Sequence, residues 1–331
     1  MFKTEQEGSG LSSPSFAPVQ SILPKIGITA RRAKQINSVL MIRDQRERHK
    51  QEVAINARPF VLCGIPLRPV PKDHLVHRRR NGNFFLHIVG HPDFGLPFGQ
   101  DRLIPIWVAT LALRQKTRTV HFESAAQMVE FFRFPKDGRY YRRLVQGFQR
   151  IFASTIFFGT EEQPAGGRLI DWARFHFFDR IHLWFTEHDK CSLSSAHDFS
   201  NTITLSEAFY NEIDQHRVPM EREVVIALAN SPGVLDFYVW IAWKSWVLKT
   251  RKVSIPLFVP GGLREQLGCR IHPEDRFLRR KINQWLRVIR AHWPQCPATI
   301  APDQQSLVIS SSKPTPALHP VGVRSYCQGL R

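Results

Sequence analysis

Between Pro273 and Trp293 apolar residues return at three- and four-residue steps: Leu278, Ile282, Trp285, Leu286, Ile289 and Trp293. That period puts them on one face of an α-helix, which must lie against a core. Pro273 suits the first helical position, and Glu274 and Asp275 place negative charge in the first turn, where the helix dipole favours it. The opposite face carries Arg276, Arg280, Asn283, Arg287 and Arg290. A guanidinium grips a phosphate or both acceptors of guanine, and an Asn amide pairs with adenine. Such a face can hold and read DNA, although on a single helix it is more often a solvated cationic surface.

A second stretch has the same construction. Asp137 is an N-cap, and Tyr141, Leu144, Val145, Phe148, Ile151 and Phe152 follow at helical spacing. Lys136, Arg139, Arg142, Arg143, Gln146 and Arg150 fall largely elsewhere on the surface. Ahead of it, Ser124 and Gln127 form a capping box that opens a short helix bearing Met128, Phe131 and Phe132 and stopped by Pro135. A short helix, a tight turn and a longer basic helix is the helix-turn-helix order, in which the second helix enters the major groove. Residues 155–158 and 168–172 then read as strands around a polar, glycine-containing loop. That hairpin is the expected wing, and Glu161 and Glu162 make it a poor phosphate grip.

The first unit opens with a helix from about Leu103, its side marked by Ile106, Trp107, Thr110 and Leu111, and a strand at Val120 and Phe122. It closes with a strand at Ile181, Leu183 and Phe185 and a polar connection at 187–200. The second unit repeats the element order without obvious sequence identity. A strand at 203–205 precedes a short helix capped by Ser206, then a helix at 220–229. Ser231 and Pro232 begin the next helix, with Leu235, Tyr238, Val239, Ala242 and Trp246 as its buried face. A strand at 253–257, a short helix at 262–267, the helix from Pro273, and strands at 298–300 and 307–309 complete it.

The expected fold class is mainly α with short β-sheets (α+β), in two tandem winged-helix domains at 91–190 and 191–312. Residues 1–90 are expected to form a largely disordered and basic helical N-terminal region. Within it, residues to about 24 are polar and disordered, 29–56 are helical and densely charged, and 57–92 defy assignment, with Pro66, Pro69 and Pro71 breaking regular structure and Arg78 to Arg80 exposed. Residues 313–331 are expected to be a flexible tail.

Across 331 residues, 46 Lys plus Arg against 28 Asp plus Glu leave a net charge of +18. That excess favours a polyanionic partner through counterion release and steered encounter. The N-terminus has no apolar signal core, and the most apolar run, 237–243 between Asp236 and Lys244, is too short to span a bilayer. A cytoplasmic protein without a membrane partner is expected. Cys63, Cys191, Cys269, Cys296 and Cys327 never form a Cys-x-x-Cys pair, so neither a disulfide framework nor a zinc ribbon is indicated.

Several motifs resemble the RepA-type plasmid replication initiators: GLPFGQDRLIPIW at 95–107, RQKTR at 114–118, PKDGRYYRR at 135–143, RIFAST at 150–155, LSEAF at 205–209 and ALANSPGVLDF at 227–237. Together they extend over roughly residues 90–300. Phe98 stands where that family leads one to expect Tyr, which removes a hydroxyl. The resemblance implies two winged-helix domains that bind repeated sites in double-stranded DNA at a plasmid origin, help open adjacent duplex and recruit host helicase and initiator proteins. It also implies that some relatives repress their own promoter, often as homodimers.

The enzymatic rival is a rolling-circle nuclease with Tyr140 or Tyr141 as nucleophile. Such chemistry needs a metal on a close His-x-His pair, and this chain has no His-x-His. His74 with His77, His87 with His91, and His176 with His182 around Asp179 lack the partners of a metal site and read as surface or strand histidines. No Gly-x-x-x-x-Gly-Lys is present either, so opening of DNA must draw on binding energy or recruited partners. The expectation is a DNA-binding protein, not an enzyme, with no cofactor or metal. A winged-helix repressor without a replication role would share the fold and the helices.

Overall fold

In the computed structural model, residues 29–71, 73–124, 126–162, 167, 169–182, 201–268 and 274–312 are described. Thr29 caps the first helix, α1 (Ala30–Glu47), its hydroxyl accepting from Arg32 N. The chain then turns to strand β1 (Val53–Ala57), so the helix ends earlier than the charge pattern suggests. A short helix α2 (Arg58–Leu62) has Pro59 in its first turn, and β2 (Val76–Asn81) and β3 (Phe84–Val89) form a hairpin. Phe60, Leu62, Leu86 and Ile88 are buried in the common core. Residues 29–71 and 73–90 are therefore folded structure, helical at the start as expected and then carrying strands where no element was assigned; residues 1–28 lie outside the described residues.

A 3-10 turn at Gly99–Arg102 leads into α3 (Leu103–Gln115), which is buried on nearly every side and carries Trp107 into the core. Then follow β4 (Thr119–Phe122), α4 (Ala126–Phe131), α5 (Gly138–Phe152), β5 (Thr155–Glu162) and β6 (Leu169–His176). The hairpin β5–β6 follows α5 as expected, and its first strand runs on to Glu162, into the expected loop. It joins the hairpin β2–β3 in a four-stranded antiparallel sheet of order β2-β3-β5-β6. Strand β4 lies elsewhere, in a sheet of order β4-β8-β7 with β7 (Phe178–His182) and β8 (Asn201–Leu205). The expected strand at Leu183 and Phe185 and the connection at 187–200 lie outside the described residues.

Ser206 caps α6 (Glu207–Gln215), its Oγ accepting from Phe209 N at 3.1 Å. The next residues form β9 (Arg217–Glu221) and α7 (Arg222–Leu228), not one helix from Met220. The reason is long-range pairing: β9 is hydrogen-bonded to β1, with Val53 opposite Glu221. Helix α8 (Pro232–Val247) follows, then β10 (Lys252–Pro256), α9 (Leu263–Gln266), α10 (Asp275–His292), β11 (Ala298–Ile300) and β12 (Ser306–Ser310). The last three strands pair antiparallel in the order β10-β12-β11. The result is a mixed α+β protein with small sheets. Among the described residues, no helix is long and apolar enough to cross a membrane.

The halves are joined by two residue runs that stood out in the sequence. Gln100 Nε2 donates to Asn230 Oδ1 at 2.8 Å, and the buried Arg102 Nη1 donates to Asp236 at 3.2–3.3 Å. Arg102 Nη2 also donates to Ile65 O at 2.9 Å. GLPFGQDR thus docks on NSPGVLD. Helix α1 crosses from the first half to pack on α7 and α10, and Arg46 grips Glu221 at 2.8 Å.

At the far end of α10, His292 is 4% exposed. Its Nδ1 lies 2.9 Å from Val288 O and its Nε2 3.2 Å from Ser38 Oγ. In the neutral ring Nδ1 donates to Val288 O, and the Ser38 hydroxyl, also 2.8 Å from Gln35 O, has one hydrogen to share between that carbonyl and Nε2. Burial holds the imidazole pKa below its ordinary value; Val288 O opposes the shift and Arg46 adds to it. An unfolded chain takes up a proton near pH 6.5 that the folded one refuses, so this contribution is whole above that pH and declines as pH falls through it. Urea midpoints should therefore drop between about pH 7.5 and about pH 5.5, and less so in His292→Gln.

Candidate nucleic-acid interface

Helix α10 starts at Asp275, two residues later than the expected start at Pro273, which lies outside the described residues. Glu274 is the N-cap residue and Asp275 sits in the first turn, paired with Arg264. Leu278, Ile282, Trp285, Leu286 and Ile289 are buried. Trp285 lies 5.9 Å from the Phe237 ring of α8, and the approach is close enough that a Cβ on Gly233 would sit 2.8 Å from Trp285 Cζ2. Burying five large apolar side chains, at roughly 1.5–3 kcal/mol each, leaves the helix no freedom to roll.

The outward face is fixed by that locking. Arg276, Arg280, Gln284, Arg287 and Arg290 are exposed. Arg276 pairs with Glu274 at 2.6 Å, an exposed contact that a phosphate can displace at little cost. Among the described residues Arg280 and Arg287 carry no ion pair. Arg290 Nη2 donates to Ala298 O at 2.8 Å, tying α10 to β11. Asn283 is turned aside: it is half-buried, and its Nδ2 donates to Arg279 O one turn back at 3.1 Å. The exposed amide on the cationic side belongs to Gln284, four residues after Arg280 and three before Arg287. Gln offers adenine the same bidentate pairing as Asn.

Helix α5 is positioned in the same way. Asp137 Oδ1 accepts from Tyr140 N at 2.8 Å, and Leu144, Gly147, Phe148 and Ile151 face the core. Tyr140 stacks on Phe134 at 5.1 Å, while Tyr141 packs half-buried against the core. Exposed on the other side are Arg139, Arg142, Arg143, Gln146 and Gln149. Lys136, just before the helix, is exposed and bonds to Glu130 at 2.5 Å.

Arg150 is a correction to the sequence assignment. Its Nε donates to Asp101 Oδ2 at 2.7 Å and its Nη2 to Oδ1 at 3.0 Å, with the guanidinium 4.6 Å over the Phe98 ring. The two side chains are 13% and 9% exposed. A bidentate pair so shielded is a strut between α5 and the 3-10 turn, not a free grip for phosphate. Gly147 permits it, since a Cβ there would lie 2.8 Å from Asp101 Oδ1.

The four-stranded sheet sets arginines beside the acidic hairpin β5–β6. On β2 the side chains alternate: Arg78 and Arg80 are exposed, whereas Arg79 is half-buried and donates to Gln266 O of α9 at 2.9 Å. Arg80 pairs with Glu161 of the hairpin β5–β6. The expectation of three exposed arginines holds for two, because a strand sends alternate residues to opposite faces.

Among the described residues the histidines single out no metal centre. His87 packs near Phe85 and Trp172, and His77 Nε2 lies 3.3 Å from Gly64 O. Among the described residues no group of three or more His, Cys, Asp or Glu is placed to hold a metal ion.

Residues 144–256 match the family model described as "Plasmid encoded RepA protein". The match runs from within α5 to the end of β10 and supports a RepA-type replication initiator family, the one the sequence motifs resemble. No curated protein matches this chain. Two crystal structures of domains 2 and 3 of RctB, one of them of selenomethionine derivatives, superpose with a TM-score of 0.46 at 11% identity. The selenomethionine structure covers 69% of this chain and 84% of its own, the other 75% and 94%.

Proposed function

We propose that this chain, matched over residues 144–256 to the plasmid encoded RepA family, initiates plasmid replication by binding repeated duplex sites at the plasmid origin. One observation carries this reading. Two helices, α5 and α10, each lock an apolar face into the core and present arginine and glutamine outward, each after a short helix and before a hairpin. That order is the winged-helix plan, in which such a helix lies in the major groove. We read the chain as two winged-helix modules whose helices enter successive grooves. In the second the three strands β10-β12-β11 form one sheet; in the first, β2 and β3 extend the wing and Arg80 answers its acidity.

The function is binding, not catalysis. Origin opening draws on the binding energy and on host helicase and initiator proteins recruited to the complex, in the bacterial cytoplasm where plasmids replicate. Homodimers belong to the repressor role some relatives have. The test separates initiator from repressor. A plasmid that relies on this reading frame and its flanking DNA should fail to establish itself when the frame is interrupted early, and should recover when the protein is supplied from the chromosome. Unchanged establishment of the interrupted plasmid, with derepression of its promoter, would favour the repressor.

A further inference from the structure

The outward face of α10 holds one side chain that electrostatics does not explain. Phe277, the third residue of the helix, is 42% exposed. On a helical wheel it falls beside Gln284 and Arg280, away from the buried stripe of Leu278, Ile282 and Trp285. The Arg276 guanidinium lies 4.9 Å from its ring centroid, which steadies the ring on this face. A scattered exposed apolar residue is ordinary; a large one among the cations of a helix otherwise fit for DNA has a specific chemical counterpart. The N-terminal residues of a groove-bound helix meet base edges, and the apolar feature of the major groove is the thymine C5-methyl.

We infer that Phe277 reads a thymine methyl, adding apolar discrimination to the hydrogen bonds and charge of Arg276, Arg280 and Gln284. This rests on the reading of α10 as a recognition helix. The opposite use of an exposed Phe, as a wedge between base steps, belongs to proteins in the minor groove, and a helix of this width fits the major one.

The probe is a duplex enriched by the full chain from a random-sequence library, with each thymine replaced in turn by deoxyuridine, which lacks only the methyl. The wild-type protein should lose about three- to fivefold affinity at one or two positions. Phe277→Ala should bind the thymine and deoxyuridine duplexes alike, both weaker than wild type on thymine, and Phe277→Leu should retain part of the preference. Indifference of the wild type to every replacement, or the same sensitivity in Phe277→Ala, would overturn the inference. Failure of the recognition-helix reading looks different: an Arg276, Arg280 and Arg287 triple alanine variant would then keep its affinity for the enriched duplex.

Discussion

Replacing Asp101 by alanine is expected to cost about 3–5 kcal/mol of folding stability, read as a lowered denaturant midpoint with an unchanged slope. The magnitude follows from what is left behind. Arg150 would keep its charge in a site where it is 13% exposed and lose both of its hydrogen bonds. Phe98 N, which donates to Asp101 Oδ2 at 2.9 Å, would lose its acceptor as well. Removing both charges together should be far milder, because an apolar replacement for a buried pair is often nearly neutral. An Asp101→Ala, Arg150→Met double variant is therefore expected to regain most of the stability. If that variant also binds DNA as the wild type does, Arg150 is a strut; if it folds but loses affinity in proportion to one cation, the arginine faces DNA after all.

The second large effect concerns α10. Alanine at Arg276, Arg280 and Arg287 together should weaken binding to the chain's own sites at least about 100-fold, since each base or phosphate contact of this kind is worth roughly 1–3 kcal/mol. Stability should move by less than about 0.5 kcal/mol for each exposed position. The salt slope should flatten by about 0.9 for every phosphate contact removed. Within the same helix, Gln284→Ala should cost about 1–3 kcal/mol of binding while Asn283→Ala, whose amide already serves Arg279 O, should leave affinity nearly unchanged. Retained affinity in the triple variant would sink the assignment of α10.

Local chemistry made much of this fold legible in the sequence. The apolar periods of α5 and α10, the caps at Asp137 and Ser206, and the strands around 298–300 and 307–309 are signals confined to a few consecutive residues. What escaped was pairing across distance. Strand β9 reads as the start of a helix until β1, far earlier in the chain, is hydrogen-bonded along it, and the β2–β3 hairpin finds its place only against β5. The same limit shaped the candidate site. Arg150 has the spacing of a surface arginine, and nothing near it in sequence announces Asp101 on another element. Gln284 was legible, standing four residues after Arg280 and three before Arg287, but the neighbouring Asn283 has the more familiar pairing with adenine. Both residues fall on the cationic side of the helix; what withdraws the Asn283 amide is its bond to Arg279 O one turn back.

A chain that reads DNA sequence with two locked helices differs in one measurable way from a mere +18 polycation. The most direct measurement is competition binding of the full chain to the origin repeats of its own plasmid against shuffled duplex of equal length, over a range of salt concentrations. The repeats should be preferred by about a thousandfold or more, on top of a steep salt slope common to both duplexes. Equal affinity for the shuffled duplex at every salt concentration would contradict sequence reading and leave net charge as the whole explanation of binding.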